Sequence, residues 1–348
     1  MPELRIDPLS GLRVIVAEDR SSRPGGGFAV SPEPAIDPAT DPFLEGHEAL
    51  TPPEIHAVRP GSSAADGPGW SVRVVPNKYP ALAAHSGASV RDGGVAADPL
   101  AAGHGEPDLF AAAPAAGAHE VIVNAPEAVG SLHALGPERL GAAMEVWRER
   151  MAAHAAAACV HLSVNEGRSA GASLPHTHAQ LYALGFVPAA IARERERFTA
   201  YSERTHGRNL LADLVQQEVR MGTRIVAVDA EAVAMCPFAS RVPFQVQIVP
   251  RRPRARYEDP GPLGAAMLHR VLGGLGAVLG AVPPLNLWVR TAPRGAEPFC
   301  WRIDLVPRLT HLAGLELGTG VHLNALAPER AAEMLAAADP VGAGAPLG

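Results

Sequence analysis

The segment NEGRSAGASLPHTHAQLYAL, residues 165–184, joins a glycine-rich turn to a histidine-rich strand. It spaces His176, His178 and Gln180 two residues apart, so on a β-strand these three side chains share one face. Glycine has no Cβ, so the turn at Gly171 can bring backbone N–H groups close to an anion. A phosphate cradle that leads into a strand carrying an imidazole predicts phosphoryl chemistry.

The two histidines alone are equally typical of an exposed strand or a small metal site. The wider spacing favours another interpretation. PHTHAQ (residues 175–180), Asn165, Gly171 and Ser173 together resemble the active-site segment of the galactose-1-phosphate uridylyltransferase family, the nucleotidyltransferase branch of the histidine-triad superfamily. The usual pattern in that family is His-Pro-His-Gly-Gln, so this chain differs only at the two spacer positions, neither of which carries the chemistry.

The resemblance assigns roles to these residues and predicts that His176, His178 and Gln180 are catalytic. His178 matches the nucleophile, which attacks the α-phosphorus of a nucleoside diphosphate sugar and expels the sugar 1-phosphate; a second sugar phosphate then attacks the nucleotidyl-histidine. Gln180 stands where hydrolytic histidine-triad proteins carry a third histidine, and an amide cannot move protons. A transferase is therefore favoured over a hydrolase. Ser173 and the backbone of residues 170–172 would cradle the phosphates, and Asn165 would bind near the ribose or a phosphate.

Further substrate contacts follow from the resemblance with an alternative open for each. Arg20 and Arg23 match an arginine that approaches the nucleotide, although both also suit a solvated loop. Asn77 matches a nucleotide contact, but asparagine in a turn often bonds its own backbone. Glu316, in GLELGTGVHLN (residues 314–324), would bind a sugar hydroxyl in the neighbouring subunit of a homodimer. A plain glycine turn is the competing interpretation of that segment.

The metal sites of the family are mostly replaced here. Its zinc ligands are two cysteines and two histidines, and the matching residues are Asp41, Leu44, Ala128 and His176. A structural zinc site normally needs four ligands, and only two of these residues can bind one. The sequence therefore predicts no zinc cofactor.

The second metal site of the family uses a glutamate and three histidines, matched here by Glu194, Arg290, Cys300 and Arg302. The two guanidinium groups could take the place of the metal charge and hold Glu194 through charge-assisted hydrogen bonds. Alternatively, Glu194 faces solvent from the charged helix IARERERF (residues 191–198). No iron cofactor is predicted in either case.

Composition excludes other classes of function. The net charge of −6 offers no basic stripe for nucleic acid, and the one arginine cluster, residues 251–256, is threaded with prolines and reads as a loop. Three scattered cysteines form neither a disulfide framework nor a Cys-x-x-Cys metal site. Without a signal region or an apolar stretch of about 20 residues, the expected location is the cytoplasm, away from membranes.

The predicted fold class is α+β, with two related histidine-triad-like halves, each a mostly antiparallel sheet with packed helices. Residues 1–185 form the catalytic half, with a mobile Ala/Gly-rich insertion at 83–118; residues 186–338 form the second half, and 339–348 a flexible tail. The helical spacing of Leu140, Met144, Trp147 and Met151 predicts one buried helix face.

Three functions stay open. The first is a uridylyltransferase that moves a nucleoside monophosphate, taken as UMP, between a nucleoside diphosphate sugar and a hexose 1-phosphate. The second is a nucleoside diphosphate sugar phosphorylase of the ADP-glucose type, which uses inorganic phosphate. The third, suggested by the lost metal ligands, is a non-catalytic nucleotide-binding protein; the intact His178 and Gln180 argue against it.

Overall fold

The computed structural model describes residues 1–22, 27–83, 110 and 112–339. Its strands are β1 (Glu3–Ile6), β2 (Arg13–Val16), β3 (His56–Val58), β4 (Val72–Pro76), β5 (Gly117–Val123), β6 (Cys159–Glu166), β7 (His178–Leu184), β8 (Ile225–Val228), β9 (Ala232–Met235), β10 (Val246–Pro250), β11 (Leu285–Arg290), β12 (Arg302–Pro307) and β13 (His322–Asn324). Its α-helices are α1 (Gly136–Ala153), α2 (Ala189–Arg204), α3 (Leu210–Met221), α4 (Ala265–Leu279), α5 (Gly314–Thr319) and α6 (Pro328–Ala337). None of the helices so described is long and apolar enough to cross a membrane.

Ten strands form one antiparallel sheet in the order β3-β4-β5-β7-β6-β11-β12-β10-β9-β8. A smaller sheet, β1-β2-β13, joins the start of the chain to its end through the parallel pairing of β2 with β13. The large sheet is continuous because β6 pairs with β11, with Val164 opposite Leu287. This mixed, mostly antiparallel architecture confirms the predicted α+β class.

One face of the sheet is apolar and is covered by α1, α4 and α6. Helix α1 begins with Pro137 in its first turn, which suits the fixed φ of proline. Its residues Leu140, Met144, Trp147 and Met151 are fully buried, as their spacing predicts. Each such side chain stabilises the fold by about 1.5–3 kcal/mol.

The two halves repeat one pattern of connections. In the first, β4, β5, α1, β6 and β7 follow in sequence and the strands lie in the order β4-β5-β7-β6. In the second, β9, β10, α4, β11 and β12 lie in the order β9-β10-β12-β11. Strand β12 is therefore the counterpart of β7. Each of these two strands lies inside its half of the sheet and points alternate side chains to the face that the helices do not cover.

Three local predictions need correction. The predicted insertion 83–118 overlaps β5, which begins at Gly117; residues 84–109 and 111 lie outside the described part of the chain. The predicted tail begins too early, because Asp339 is buried and accepts hydrogen bonds from Arg270; residues 340–348 again lie outside it. Residues 314–319 form α5 rather than a plain glycine turn, and Gly320 ends that helix with φ +69°.

Candidate active site

Strand β7 lies between β5 and β6 and presents His178 and Gln180 on the second face of the sheet. Ala179 and Leu181 point the opposite way and are fully buried in the core, as alternation requires. The strand begins at His178, so His176 lies in the segment just before it. The core therefore sets the orientation of the candidate nucleophile.

His178 has the protonation state that a nucleophile needs. Its Nδ1 donates to the backbone carbonyl of His176 at 2.8 Å, which leaves Nε2 as the unprotonated nitrogen. Burial lowers the pKa of His178, so the ring is neutral at neutral pH. The ring of Phe43 meets it edge-on, with centroids 5.1 Å apart. Together these contacts hold a neutral imidazole with one free lone pair.

Gln180 is oriented by two neighbours on the same face. Tyr182 Oη donates to Gln180 Oε1 at 2.7 Å, and His119 Nε2 lies 3.1 Å from the same oxygen. His119 Nδ1 accepts from the N–H of Ala81, so its Nε2 carries the proton and also donates to Gln180. Because Oε1 already accepts two hydrogen bonds, the amide nitrogen is turned away from them and is available to phosphoryl oxygens.

A buried hydrogen-bond network holds the segment that leads into β7. Thr177, one of the two departures from the family pattern, donates from its hydroxyl to Glu166 at 3.0 Å and accepts from Asn124. Asn124 in turn accepts from the indole N–H of Trp147. Burial raises the pKa of Glu166 to about 7. The hydroxyl that replaces proline in the motif is thus fully used by a partner network within the fold.

The turn before β7 uses its glycines as predicted, with φ +80° at Gly167 and +86° at Gly171. Its amides, however, are engaged within the turn: the N–H groups of Ala170 and Ala172 donate to Gly167, and that of Gly171 to Arg168. The predicted backbone cradle of residues 170–172 therefore needs correction, because these donors point into the turn. The side chain of Ser173 is the phosphate contact that stays predicted.

Asn165 lies on β6 beside His178, and its Oδ1 accepts from Asn286 of β11 at 2.7 Å. This bond turns the amide nitrogen of Asn165 toward the open face, where it can reach a ligand. Asn77 instead closes its own turn by accepting from the N–H of Tyr79, as the alternative interpretation had it, while its Nδ2 lies 3.1 Å from His119 Nε2.

The remaining predicted contacts are Arg20, Arg23 and Glu316. Arg20 sits on a 3₁₀ turn, Glu18–Ser22, and makes no hydrogen bond or ion pair with His178 or Gln180 within the described part of the chain. Arg23 lies outside the described residues. Glu316 caps its own helix by accepting from the N–H of Ala313 at 3.0 Å.

The positions of the zinc ligands hold a buried ion pair. His176 Nδ1 lies 2.7 Å from Asp41 Oδ2, and His176 Nε2 lies 2.9 Å from the carbonyl of Ala125. Both partners can accept hydrogen bonds, so each of the two ring nitrogens faces an oxygen to which it can bond. The prediction that His176 is catalytic therefore needs correction: both nitrogens are occupied, and it is the carbonyl of His176 that serves His178.

These residues do not fit a zinc ion. Two ligand atoms of a tetrahedral zinc lie about 3.3 Å apart, since each sits about 2.0–2.1 Å from the metal, and the Asp41–His176 contact is shorter. Leu44 and Ala128 offer no ligand atom. Among the described residues, no group of three or more His, Cys, Asp or Glu side chains is arranged to hold a metal.

The positions of the iron ligands hold an arginine–carboxylate cluster. Arg302 Nη2 donates to both oxygens of Glu194 at 3.1 Å, and Arg290 Nε lies 3.4 Å from Glu194 Oε2. Glu194 is buried, so the solvent-facing alternative is wrong. The predicted hydrogen bonds to Glu194 are confirmed for Arg302, whereas Arg290 contributes an ion pair without a hydrogen bond. Burial alone would lower the pKa of Arg302, but Asp304 and Glu194 raise it. Arginine N–H groups occupy the positions where an iron ion would need ligand atoms with free lone pairs, so these residues do not fit iron.

Sequence analysis missed several supporting residues. His119 and Tyr182 orient Gln180, Phe43 packs against His178, and Asp41 pairs with His176. Tyr182 could have been found, because it follows Gln180 by two residues on the same strand face. His119 and Phe43 gave no comparable signal, since their positions depend on the pairing of distant segments.

Comparisons with known proteins identify the family of the chain. A family model described as galactose-1-phosphate uridyl transferase, N-terminal domain, matches residues 1–188, and a domain of unknown function matches residues 140–338. An ADP-glucose phosphorylase of Arabidopsis thaliana is 27% identical over 96% of this chain and 92% of its own. A probable galactose-1-phosphate uridylyltransferase of Drosophila melanogaster is 28% identical over 74% of this chain and 68% of its own.

Solved structures extend the likeness to the whole chain. The structure of the Arabidopsis ADP-glucose phosphorylase with bound ADP-glucose has a TM-score of 0.76 at 25% identity, covering 97% of this chain and 99% of that one. A uridylyltransferase structure at 24% identity, with a TM-score of 0.70 and coverage of 97% and 98%, shares the fold. Because this family model matches more than half of the chain, the chain belongs to the galactose-1-phosphate uridylyltransferase family.

Proposed function

We propose that this protein transfers a nucleoside monophosphate from a nucleoside diphosphate sugar to a phosphate acceptor through a covalent intermediate on His178. The observation that carries the proposal is the free Nε2 of a neutral imidazole, whose Nδ1–H is held by the carbonyl of His176. The Nε2 lone pair attacks the α-phosphorus and the bond to the bridging oxygen breaks. The sugar 1-phosphate leaves with that electron pair.

In the second half-reaction, an oxygen of the acceptor phosphate attacks the same phosphorus, and the P–N bond electrons return to His178. Gln180 donates from its amide nitrogen to the phosphoryl oxygens in both steps. It supplies no proton to a water molecule or a leaving group, so the nucleotidyl-histidine persists until a phosphate acceptor arrives. This difference supports transfer rather than hydrolysis.

Two versions of the reaction differ in base and acceptor. A uridylyltransferase would move UMP between a UDP-sugar and a hexose 1-phosphate, in line with the several uridylyltransferase relatives. A phosphorylase would release sugar 1-phosphate from an ADP-sugar and pass AMP to inorganic phosphate. Similarity to an ADP-glucose phosphorylase along nearly the whole chain favours this second version.

A substrate screen tests the proposal and separates its versions. The protein is incubated with UDP-, ADP- and GDP-glucose in turn, first alone and then with galactose 1-phosphate or orthophosphate. Nucleotidyl transfer predicts a mass increase of one nucleoside monophosphate without acceptor and loss of that adduct when the correct acceptor is added. A protein that binds nucleotide sugars tightly but never acquires the adduct would instead be a non-catalytic binder.

We expect Gln180→His to raise the hydrolysis of the nucleotidyl intermediate by about 10²-fold, because an imidazole can act as a general base toward water where an amide cannot. The measurement is release of free nucleoside monophosphate in the absence of acceptor. Gln180→Ala is the control: it also removes the amide but adds no base. If both variants hydrolyse the intermediate at the same slow rate, the proposed role of Gln180 fails.

We expect full activity without a bound metal, because a histidine–carboxylate contact and an arginine–carboxylate cluster stand at the positions of the two metal sites of the family. Elemental analysis of protein purified without chelator should give far less than one zinc or iron per chain. Prolonged treatment with EDTA should leave the transfer rate unchanged. One metal per chain, lost together with activity on chelation and regained on its return, would contradict this.

We propose that a second copy of the chain covers α5, which exposes Leu315 and Leu317 beside the predicted sugar contact Glu316. Large apolar side chains left exposed on a surface helix are typical of an interface, and because these two leucines point to different sides of α5, a partner would have to pack around the helix. Leu317→Glu should shift the mass measured by light scattering from a dimer to a monomer, whereas Leu50→Glu, at another exposed leucine, should not. A wild-type monomer at micromolar concentration would contradict the proposal.

A further inference from the structure

A cleft lined by both polar and apolar side chains opens on the second face of the sheet, where the two halves meet. Asn165 of β6 and Asn286 and Trp288 of β11 form its floor, and Arg241 and Arg308 border it. Its volume is about 340 Å³, within the range of small-molecule sites. Because Asn165 lies beside His178 and β11 is two strands from β7, the floor extends about 10 Å from the candidate nucleophile.

The two arginines of this cleft are unpaired. Arg241 lies over the ring of Trp288, 5.5 Å from its centroid, and its guanidinium forms no hydrogen bond or ion pair in the described part of the chain. Arg308 Nε is buried and likewise has no hydrogen-bond partner there. A buried charge is costly unless it is paired, so both guanidinium groups are suited to receive an anion.

Neighbouring carboxylates cannot neutralise them. No Asp or Glu side chain of the described residues lines the cleft. Asp304, the nearest beyond its floor, is already held by Arg302, Gln247 and Trp288. Asp7 is occupied by the backbone and hydroxyl of its own turn. Burial lowers the pKa of Arg241, and these two carboxylates only partly oppose that effect.

Histidines supply hydrogen bonds rather than further charge. Burial lowers the pKa of His161 to about 4 and also lowers the pKa of His322, so both rings are neutral at neutral pH. His322 Nδ1 is buried without a hydrogen-bond partner among the described residues. The cleft thus combines two positive charges with neutral groups that can bind phosphate oxygens or sugar hydroxyls.

We propose that this cleft binds a phosphate dianion between Arg241 and Arg308, either orthophosphate or the phosphate group of a sugar 1-phosphate. Each guanidinium presents a planar fork that matches two oxygens of a phosphate. The inference rests on the proposed function only in its assignment of the bound phosphate as the acceptor that takes the nucleotidyl group from His178. The binding itself requires no covalent step.

Isothermal titration of the His178→Ala protein tests the cleft without chemistry at the nucleophile. The ligands are orthophosphate, glucose 1-phosphate and free glucose. Arg241→Gln and Arg308→Gln should each weaken phosphate binding at least about tenfold, the effect of losing one charge-assisted contact. Arg252→Gln, at an exposed arginine outside the cleft, makes the same change in net charge and should leave the affinity unchanged.

The outcomes separate the sources of phosphate and the two proposals. If the arginine variants lose affinity for both orthophosphate and glucose 1-phosphate, the cleft recognises the phosphate group itself. If they lose affinity for only one of these two compounds, that compound is the ligand. Arg241→Lys, which keeps the charge but not the fork, should fall between wild type and Arg241→Gln and guards against misfolding. Phosphate affinity equal in all folded variants overturns the proposal. If the wild type forms no adduct with any nucleotide sugar while this binding persists, nucleotidyl transfer fails and the cleft stands.

Discussion

Replacing His178 by alanine is expected to lower nucleotidyl transfer by at least about 10³-fold, because the reaction then has no nucleophile for its covalent intermediate. The intact mass of the variant should stay unchanged after incubation with each nucleotide sugar. Binding of the nucleotide sugar should weaken far less, since Gln180 and Asn165 remain. Adduct formation requires the neutral His178 ring. Because the pKa of His178 is lowered, the rate of adduct formation should stay constant as the pH falls through the ordinary imidazole range and should decrease only at still lower pH.

The control for this experiment is His311→Ala, at an exposed histidine outside the site. It should acquire the nucleotide at the wild-type rate. Peptide mapping of the wild-type adduct should place the added mass on His178 and not on His176, whose two ring nitrogens are occupied by Asp41 and Ala125. An adduct that survives in His178→Ala, or that maps to His176, would refute the assignment.

Replacing Asp41 by alanine is expected to lower the free energy of unfolding by about 3–5 kcal/mol, the usual effect of removing one member of a buried ion pair. The fully buried ring of His176 is then left without its carboxylate partner. Because His176 also supplies the carbonyl that holds His178, transfer activity should fall as well. Urea unfolding followed by far-UV circular dichroism measures the change.

Asp37→Ala is the matched control, since that carboxylate is exposed and bonds only within its own turn. It should cost less than about 1 kcal/mol. The double variant Asp41→Leu with His176→Leu should recover much of the loss, because an apolar pair leaves no buried charge behind. A cost for Asp41→Ala no larger than that of Asp37→Ala would mean that the pair does not stabilise this region.

The strand that carries the chemistry was predictable because its signals are local. Alternation placed His178 and Gln180 on one face of the strand, and in the structure the intervening Ala179 faces the core on the other side. The helical period of α1 was an equally local signal. The prediction for residues 170–172 was weaker, because a glycine turn can direct its amides either to a ligand or to its own carbonyls. In the structure these amides bond within the turn.

The tertiary structure explains the loss of the metal ligands in a way that substitution alone could not. The counterpart of β7 in the second half is β12, where Arg302 and Asp304 occupy the positions of His178 and Gln180. There, helix α2 brings Glu194 onto Arg302 and closes the cluster. The second half thus carries an ion-paired cluster at the place where the first half carries the proposed nucleophile.

By itself, the sequence determined the α+β class and the family, and it selected the proposed nucleophile and its amide neighbour, because these depend on residue type and on spacings of two to four residues. Only the tertiary structure decided the partners of those groups: Asp41 meets His176 across 135 residues, Glu194 meets Arg302 across 108 and His119 meets Gln180 across 61. The register of distant strands and the packing of loops and α2 against them determine such contacts. No local pattern encodes that register, so the residues that hold His178 and Gln180 in place emerge only from the folded chain.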